Sequence, residues 1–278
     1  MSHPEAGARI AEARHFLFVP ANRPERFANA AGCGADLAIL DLEDAVPAAD
    51  KVAARANVRD WLEAGGQAMV RINAADTPWF EDDLKLLAHP GLIGVMLPKA
   101  EPGAALARVA GLAPVLALVE SACGVADMGR IAQCEGVVRL ALGTIDLALD
   151  LGLAGDDRLL DPLRLQMTLA SRVARLAPPV EGVTPDFRDE AANRAAMAHG
   201  RSFGFAAKMC IHPMQIAPVE AALAPSEAEI EQARRIVAAD RASAGAAVAL
   251  DGAMVDRPIV ERAYRLLERL EGPRQVAP

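Results

Sequence analysis

The segment "ADLAILDLEDAV", residues 35–46, runs apolar from Leu37 to Leu40 and then carries Asp41, Glu43 and Asp44. Carboxylates crowded at the end of an apolar run need a positive partner, or some of them become neutral. A metal ion, a basic substrate, an internal Arg or Lys, and solvent are the candidates. Other apolar runs end in polar groups too: Arg71 and Asn73, Lys99 and Glu101, Glu120 and Ser121, Gly143-Thr144-Ile145-Asp146, and His212. Hard oxygen donors without a Cys/His cluster favour magnesium, with manganese as the alternative, over zinc. Arg71 offers a planar fork suited to a substrate carboxylate. A metal and an arginine gripping a small oxyacid is the chemistry these types allow. A lone strand-end carboxylate is more often a helix cap or ion-pair partner, so the case rests on convergence.

Convergence requires strands whose ends meet. The runs "HFLFVP", "LAILDLE", "AMVRIN", "LIGVMLP", "VLALVE", "VVRLALG", "PVEGVT" and "FAAKMCI" read as strands. Helical stretches separate them, at 24–31, 47–64, 79–88, 102–110, 125–133, 162–176 and 187–200, and 213–223 follows the last strand. Proline opens several of these, where its missing N–H costs nothing. Alternating strands and helices predict a parallel sheet with helical crossovers, and near-continuous apolar strands fit burial on both faces. Eight units predict an α/β fold closed into a (β/α)8 TIM barrel over residues 1–223, with functional groups at the C-terminal strand ends. An open doubly wound sheet is the alternative, but "VPANRPERF" lacks the glycines of a dinucleotide fingerprint. Residues 224–278 are surplus to a barrel and read as a C-terminal helical arm.

The 278 residues are 53% hydrophobic with a net charge of −8, and no Lys/Arg block stands out. Those values argue against nucleic-acid and membrane partners. Cys33, Cys123, Cys134 and Cys210 form no Cys-x-x-Cys pair and read as reduced thiols of a cytoplasmic protein. "MSHPEAGARIAEAR" lacks the apolar core of a secretory signal, and no apolar run is long enough for a bilayer.

The motifs also carry a resemblance. "LFVPANRPERF", "ADLAILDLEDAV…K…AR", "VRIN", "LPKAE", "LVESACGV", "LALGTIDLALDLG", "KMCIHPMQI" and "GAMVDRPIVERA" stand in family order from about Arg14 to Leu270. They resemble the citrate lyase β-subunit-like branch of the HpcH/HpaI aldolase superfamily. The resemblance implies a TIM barrel that cleaves or forms carbon–carbon bonds in β-hydroxyacyl-CoA thioesters, malyl- or citramalyl-CoA for example, with Mg2+. It implies Glu120 and Asp146 as metal ligands and Glu43 and Asp44 as holders of metal-bound water. Arg71 would pair with the keto-acid carboxylate, helped by backbone N–H groups of Gly143, Thr144, Ile145 and Asp146. Asp256 would be the acid/base, carried by the arm into a neighbouring subunit of a homotrimer or hexamer. Lys51 and Arg55, four apart, could reach coenzyme A phosphates, the alternative being a solvated helix face.

The chain also departs from the family pattern. His15, Ala21, Ser121, Thr144, Ile145 and Ala207 replace commoner residues, which bears on substrate identity more than on reaction class. His15 and His212 could be catalytic, His212 being the better fit to a shaping role at the barrel mouth. Rival readings are a citrate lyase β subunit acting on an acyl-carrier-protein thioester, a metal-dependent aldolase on free keto acids, an acyl-CoA thioesterase, and a non-catalytic metabolite-binding barrel.

Overall fold

The structure is a computed structural model that describes residues 2–154, 157–243, 248–251 and 253–271. Eight strands form a closed barrel: β1 (His15–Pro20), β2 (Leu37–Asp41), β3 (Ala68–Arg71), β4 (Leu92–Leu97), β5 (Val115–Val119), β6 (Val137–Leu142), β7 (Val180–Glu181) and β8 (Ala207–Cys210). Neighbours pair in parallel, and β1 closes the ring on β8 through His15–Lys208, Phe16–Met209 and Leu17–Cys210. The eight predicted runs are these strands, so the barrel stands and the open sheet does not. The stretch expected as one helix over 125–133 is two short ones, Ala122–Ala126 and Met128–Ala132.

Alternation along the strands sorts the side chains. Phe16, Ile39, Met69, Leu116, Leu118, Ala141 and Met209 fill the barrel interior. Leu17, Leu40, Val70, Ala117 and Leu142 join the outer layer beneath the helices. Two residues beyond Ile39, Met69, Leu118 and Ala141 stand Asp41, Arg71, Glu120 and Gly143. Period two thus carries the apolar interior directly into polar groups at the C-terminal rim.

The opposite rim is plugged by an N-terminal helix, His3–Glu12, absent from the sequence-based expectation. Its signal is a capping box: Ser2 Oγ accepts the Glu5 N–H, and Glu5 Oε2 accepts the Ser2 N–H. Ile10 from this helix enters the interior cluster. Gly94 makes room for it, since a Cβ there would lie 2.5 Å from Ile10 Cδ1 and 2.7 Å from the Pro114 carbonyl. Buried Arg139 donates to the carbonyls of Ile10 (3.0 Å), Ala13 (2.6 Å) and Pro178 (2.6 Å). A cation thereby serves the carbonyls that a helix C-terminus leaves open.

His15 begins β1 and so lies at this rim, away from the C-terminal strand ends, which excludes it from chemistry there. Its Nδ1 is 3.0 Å from Asp36 Oδ2, and its Nε2 is 3.3 Å from Glu220 Oε2 without hydrogen-bond geometry. Burial alone would raise the Asp36 carboxyl. Hydrogen bonds from the His15 ring and the Arg14 and His15 N–H groups outweigh it and hold Asp36 at about 2. A depressed carboxyl stabilises the fold above its ordinary value of 3.8, and that contribution disappears as pH falls toward about 2. Asp36→Asn should therefore flatten the acid limb of a stability-versus-pH curve in this window. An unchanged slope would assign acid sensitivity to another group.

The chain divides into two compact units, Met1–Leu223 and Ala224–Pro278. In the second, helices Glu227–Ala242 and Arg257–Glu271 pack through Ala233, Ile236, Val237, Val255 and Ala263. A hairpin of β9 (Val248–Leu250) and β10 (Ala253–Val255) links them. Gly252 of the "GAMVD" motif and residues 272–278 of the expected arm lie outside the described residues. Among the described residues no helix is long and apolar enough to cross a membrane.

Candidate active site at the C-terminal rim

Arg71 and Asp41 end β3 and β2 side by side, in register with each other. Arg71 Nε donates to Asp41 Oδ1 at 2.7 Å and Nη2 to Asp41 Oδ2 at 2.6 Å. The fork expected to take a substrate carboxylate is thus bidentate to Asp41, and only the Nη1 edge is left to face the turn after β2. Nη1 lies 3.0 Å from Glu43 Oε2 and 3.8 Å from Asp44 Oδ2. The Phe18 ring backs the guanidinium at 4.8 Å. Burial alone would pull the Arg71 pKa down, but the Asp41 charge and hydrogen bond reverse this and raise it. Asp41 also accepts the N–H groups of Glu43 (2.9 Å) and Ala45 (3.3 Å), which curls the turn after β2 around it. One carboxylate of the "DLED" segment therefore serves an internal arginine.

Glu43 is buried and Asp44 is exposed. No hydrogen bond reaches Glu43 Oε2 despite its 3.0 Å approach to Arg71. Burial pushes the Glu43 carboxyl up to about 8, against the Arg71 charge and helped by Asp44, Glu120 and Asp41. Glu120, beyond β5, is raised to about 7, by burial first and by Asp146 and Asp44 as well. Those mutual effects place Glu43, Asp44, Glu120, Asp146 and Arg71 in one electrostatic neighbourhood.

Glu120 is held from behind. The Lys99 N–H donates to its Oε1 at 2.8 Å, and Lys99 adopts the left-handed φ of 46° to do so. Its Oε2 packs against Gly143, where a Cβ would lie only 2.6 Å away. That position needs glycine for close approach. Thr144, Ile145 and Asp146 open the helix Thr144–Asp150, with Gly143 at its N-cap. Thr144 turns toward β7, its Oγ1 2.7 Å from where a Gly182 Cβ would stand, and Ile145 is exposed. Asp146 is half-buried, and among the described residues its carboxylate makes no hydrogen bond. Glu101 and Ser121, also at strand ends, bond to each other at 2.9 Å. His212 stacks on Phe187 at 4.3 Å and accepts the Met214 N–H through Nδ1, a capping role.

Lys51 and Arg55 are not a solvent-facing pair. Lys51 is 6% exposed, and its Nζ donates to Leu42 O, Glu43 O and Asn73 Oδ1 at 2.6, 2.7 and 2.6 Å. Three bonds use all three ammonium hydrogens, so none is left for a coenzyme A phosphate. Arg55 Nε is held by buried Asp83 at 2.7 Å. Both cations turned inward because buried acceptors await them. Asp83 was missed because "FEDD" reads as an ordinary acidic helix face.

The donor set fits a hard divalent ion. Among the described residues no three His, Cys, Asp or Glu side chains are placed to hold a metal alone. Two carboxylates with waters or substrate oxygens suit magnesium rather than a structural zinc cage. Burial raises these carboxylates to about 8 at Glu43 and about 7 at Glu120, and a divalent ion beside them would favour their ionised forms.

The HpcH/HpaI aldolase/citrate lyase family model matches residues 14–213, from the start of the barrel to the turn after β8. The chain belongs to this family. It is 40% identical over 264 residues to a citrate lyase subunit beta-like protein of Mycobacterium tuberculosis strain H37Rv, covering 91% of this chain and 94% of that one. It is 35% identical over 270 residues to a (3S)-malyl-CoA thioesterase of Cereibacter sphaeroides strain ATCC 17029, covering 93% and 94%. Among solved structures, CitE from Mycobacterium tuberculosis in complex with magnesium, acetoacetate and coenzyme A superposes with a TM-score of 0.83 and 38% identity, over 94% of this chain and all of that one. A citrate lyase β subunit from the same organism, complexed with oxaloacetate and magnesium, gives a TM-score of 0.67 and 37% identity, over 78% of this chain and 100% of that one.

Proposed function

We propose that this family member is a magnesium-dependent lyase that cleaves, or forms, a β-hydroxyacyl-CoA thioester of the malyl or citramalyl type, giving a keto acid and an acyl-CoA. The observation that carries the reading is the pair Glu43 and Glu120, two carboxylates raised by burial, with Glu43 Oε2 free of hydrogen bonds 3.0 Å from Arg71 Nη1. The solved relative with magnesium, acetoacetate and coenzyme A supports the ligand class.

Glu120 and Asp146 would hold the ion, and Glu43 and Asp44 would hold its waters. Bound there, magnesium would acidify the substrate hydroxyl and stabilise the carbonyl that grows from it. Arg71 Nη1 would fix the keto-acid carboxylate, turning orientation into rate. Backbone N–H groups of Gly143–Asp146 would bind the same acid. Asp256 would protonate the departing enolate carbon, or take the α-proton in the condensing direction. Within its own unit, Asp256 Oδ1 takes the Ile259 N–H at 3.5 Å, a long cap that leaves its carboxylate available.

A shared site in a homotrimer or hexamer is part of this proposal. Leu165, Leu169 and Val173, four residues apart on one helix, are 61%, 63% and 66% exposed, an apolar stripe that supports burial against another copy. Free thiols at all four cysteines support a cytoplasmic setting.

The malyl-CoA thioesterase relative favours a second reading, hydrolysis after or instead of cleavage. A screen of malyl-, citramalyl- and related hydroxyacyl-CoA esters, run with magnesium and with excess chelator, tests the proposal. Turnover of at least one ester, lost in chelator and restored by magnesium, is expected. Undiminished turnover in chelator would overturn it, and so would turnover of free hydroxy acids only.

A further inference from the structure

We infer that Lys51 is a positioning residue that fixes the direction of the Glu43 and Asp44 side chains. The inference rests on reading that turn as the water-holding edge of a magnesium site.

Lys51 Nζ joins the two consecutive carbonyls of Leu42 and Glu43, at 2.6 and 2.7 Å. Holding both oxygens restricts the peptide planes on either side of Glu43, and with them the directions in which Glu43 and Asp44 leave the backbone. The third bond, to Asn73 Oδ1 at 2.6 Å, anchors the ammonium to the end of β3. Asn73 is fixed in turn: its N–H and Nδ2–H both reach Asp83 Oδ2, at 2.8 and 2.6 Å. Asp83 is fully buried and takes Arg55 Nε at 2.7 Å. Arg55 Nη2 reaches the carbonyl of Trp79, whose ring lies 5.1 Å from Lys51 Nζ. Arg55, half-buried, and the buried Asp83, Asn73 and Lys51 thus form one bonded chain from the helix Lys51–Glu63 to the acidic turn.

From the other side, Asp41 accepts the turn's N–H groups of Glu43 and Ala45. The turn is gripped at its amides by an anion and at its carbonyls by a cation. A compact ammonium suits three converging acceptors, and a planar guanidinium does not.

Lys51→Arg keeps the charge and breaks the geometry. Three measurements are made on it: amide hydrogen exchange of residues 42–46 in magnesium-free protein, magnesium titration by calorimetry, and steady-state kinetics on a CoA ester. Exchange should accelerate in the turn while the barrel strands keep their protection. Magnesium affinity should fall by up to about 10-fold, the low end of the effect of disturbing groups around a metal site, because Glu43 and Asp44 would hold its waters and not the ion. kcat should fall while KM for the CoA ester stays near wild type. Wild-type exchange in the turn with a raised KM and an unchanged kcat would overturn the inference and make Lys51 a phosphate-binding residue. If Lys51→Arg does not fold, Asn73→Ala removes the Oδ1 acceptor of Lys51 and is read by the same outcomes. Absence of CoA-ester turnover in the wild type would defeat the proposed function alone, because exchange in the turn still decides the role of Lys51.

Discussion

Glu120→Ala and Asp146→Ala should each abolish turnover and weaken magnesium binding in a barrel that remains folded. The expected loss in kcat/KM exceeds about a thousandfold, equivalent to about 4 kcal/mol of transition-state stabilisation. Burial first, and then the Asp146 and Asp44 charges, raise the Glu120 carboxyl, so the metal-free fold gains nothing from its ionised form. Among the described residues its removal frees the Lys99 N–H alone from a partner. Among the described residues the Asp146 carboxylate makes no hydrogen bond whose loss would unsettle the fold. Stability and function should therefore separate: thermal unfolding of the metal-free variants close to wild type, and stabilisation by added magnesium lost. Near-normal turnover in either variant would remove that residue from the metal site.

Arg71 and Asp256 supply the second large effect, because the two groups would come from different subunits. Arg71→Lys keeps a charge opposite Asp41 but loses both the bidentate pair and the Nη1 edge. Complete truncation would leave Asp41 buried without its partner and confuse stability with function. The Lys variant should lose about a hundredfold or more in kcat/KM, the scale of a misplaced reactant. Asp256→Asn should lose about 10²- to 10⁴-fold, the range of a general acid or base. Subunits carrying one change each are then mixed and exchanged. With shared sites, about a quarter of the sites in a random one-to-one mixture would draw both intact groups from different chains of a closed oligomer. Recovery toward that fraction is the expected result. Verified hybrids without recovery would leave Asp256 as the cap of its own helix.

Much of this architecture was legible in the chain because buried parallel strands write themselves as continuous apolar runs. Polar residues at the ends of "LAILDLE", "AMVRIN" and "VLALVE" could then be assigned to one rim. What stayed hidden was the choice of partner. Nothing local tells whether Lys51 turns outward to a ligand or inward to Leu42, Glu43 and Asn73, since its acceptors lie on other segments. Arg71 likewise reads as a free fork until Asp41, thirty residues earlier, is found in its grip. Lys99 gives no sign of its left-handed backbone, because such a position ordinarily announces itself as glycine. The helix His3–Glu12 was readable from Ser2 and Glu5, but it lies outside the strand–helix rhythm that organised the rest.

Product accounting on the best CoA ester tests the central claim most directly. Keto acid, acyl-CoA, free coenzyme A and hydroxy acid are followed together in one time course, with saturating magnesium and again with chelator. Carbon–carbon cleavage predicts that keto acid and acyl-CoA appear together in equal amounts, only when magnesium is present, with free coenzyme A absent or lagging. Hydroxy acid and free coenzyme A appearing together, with no keto acid at any time, would contradict the lyase and leave a thioesterase.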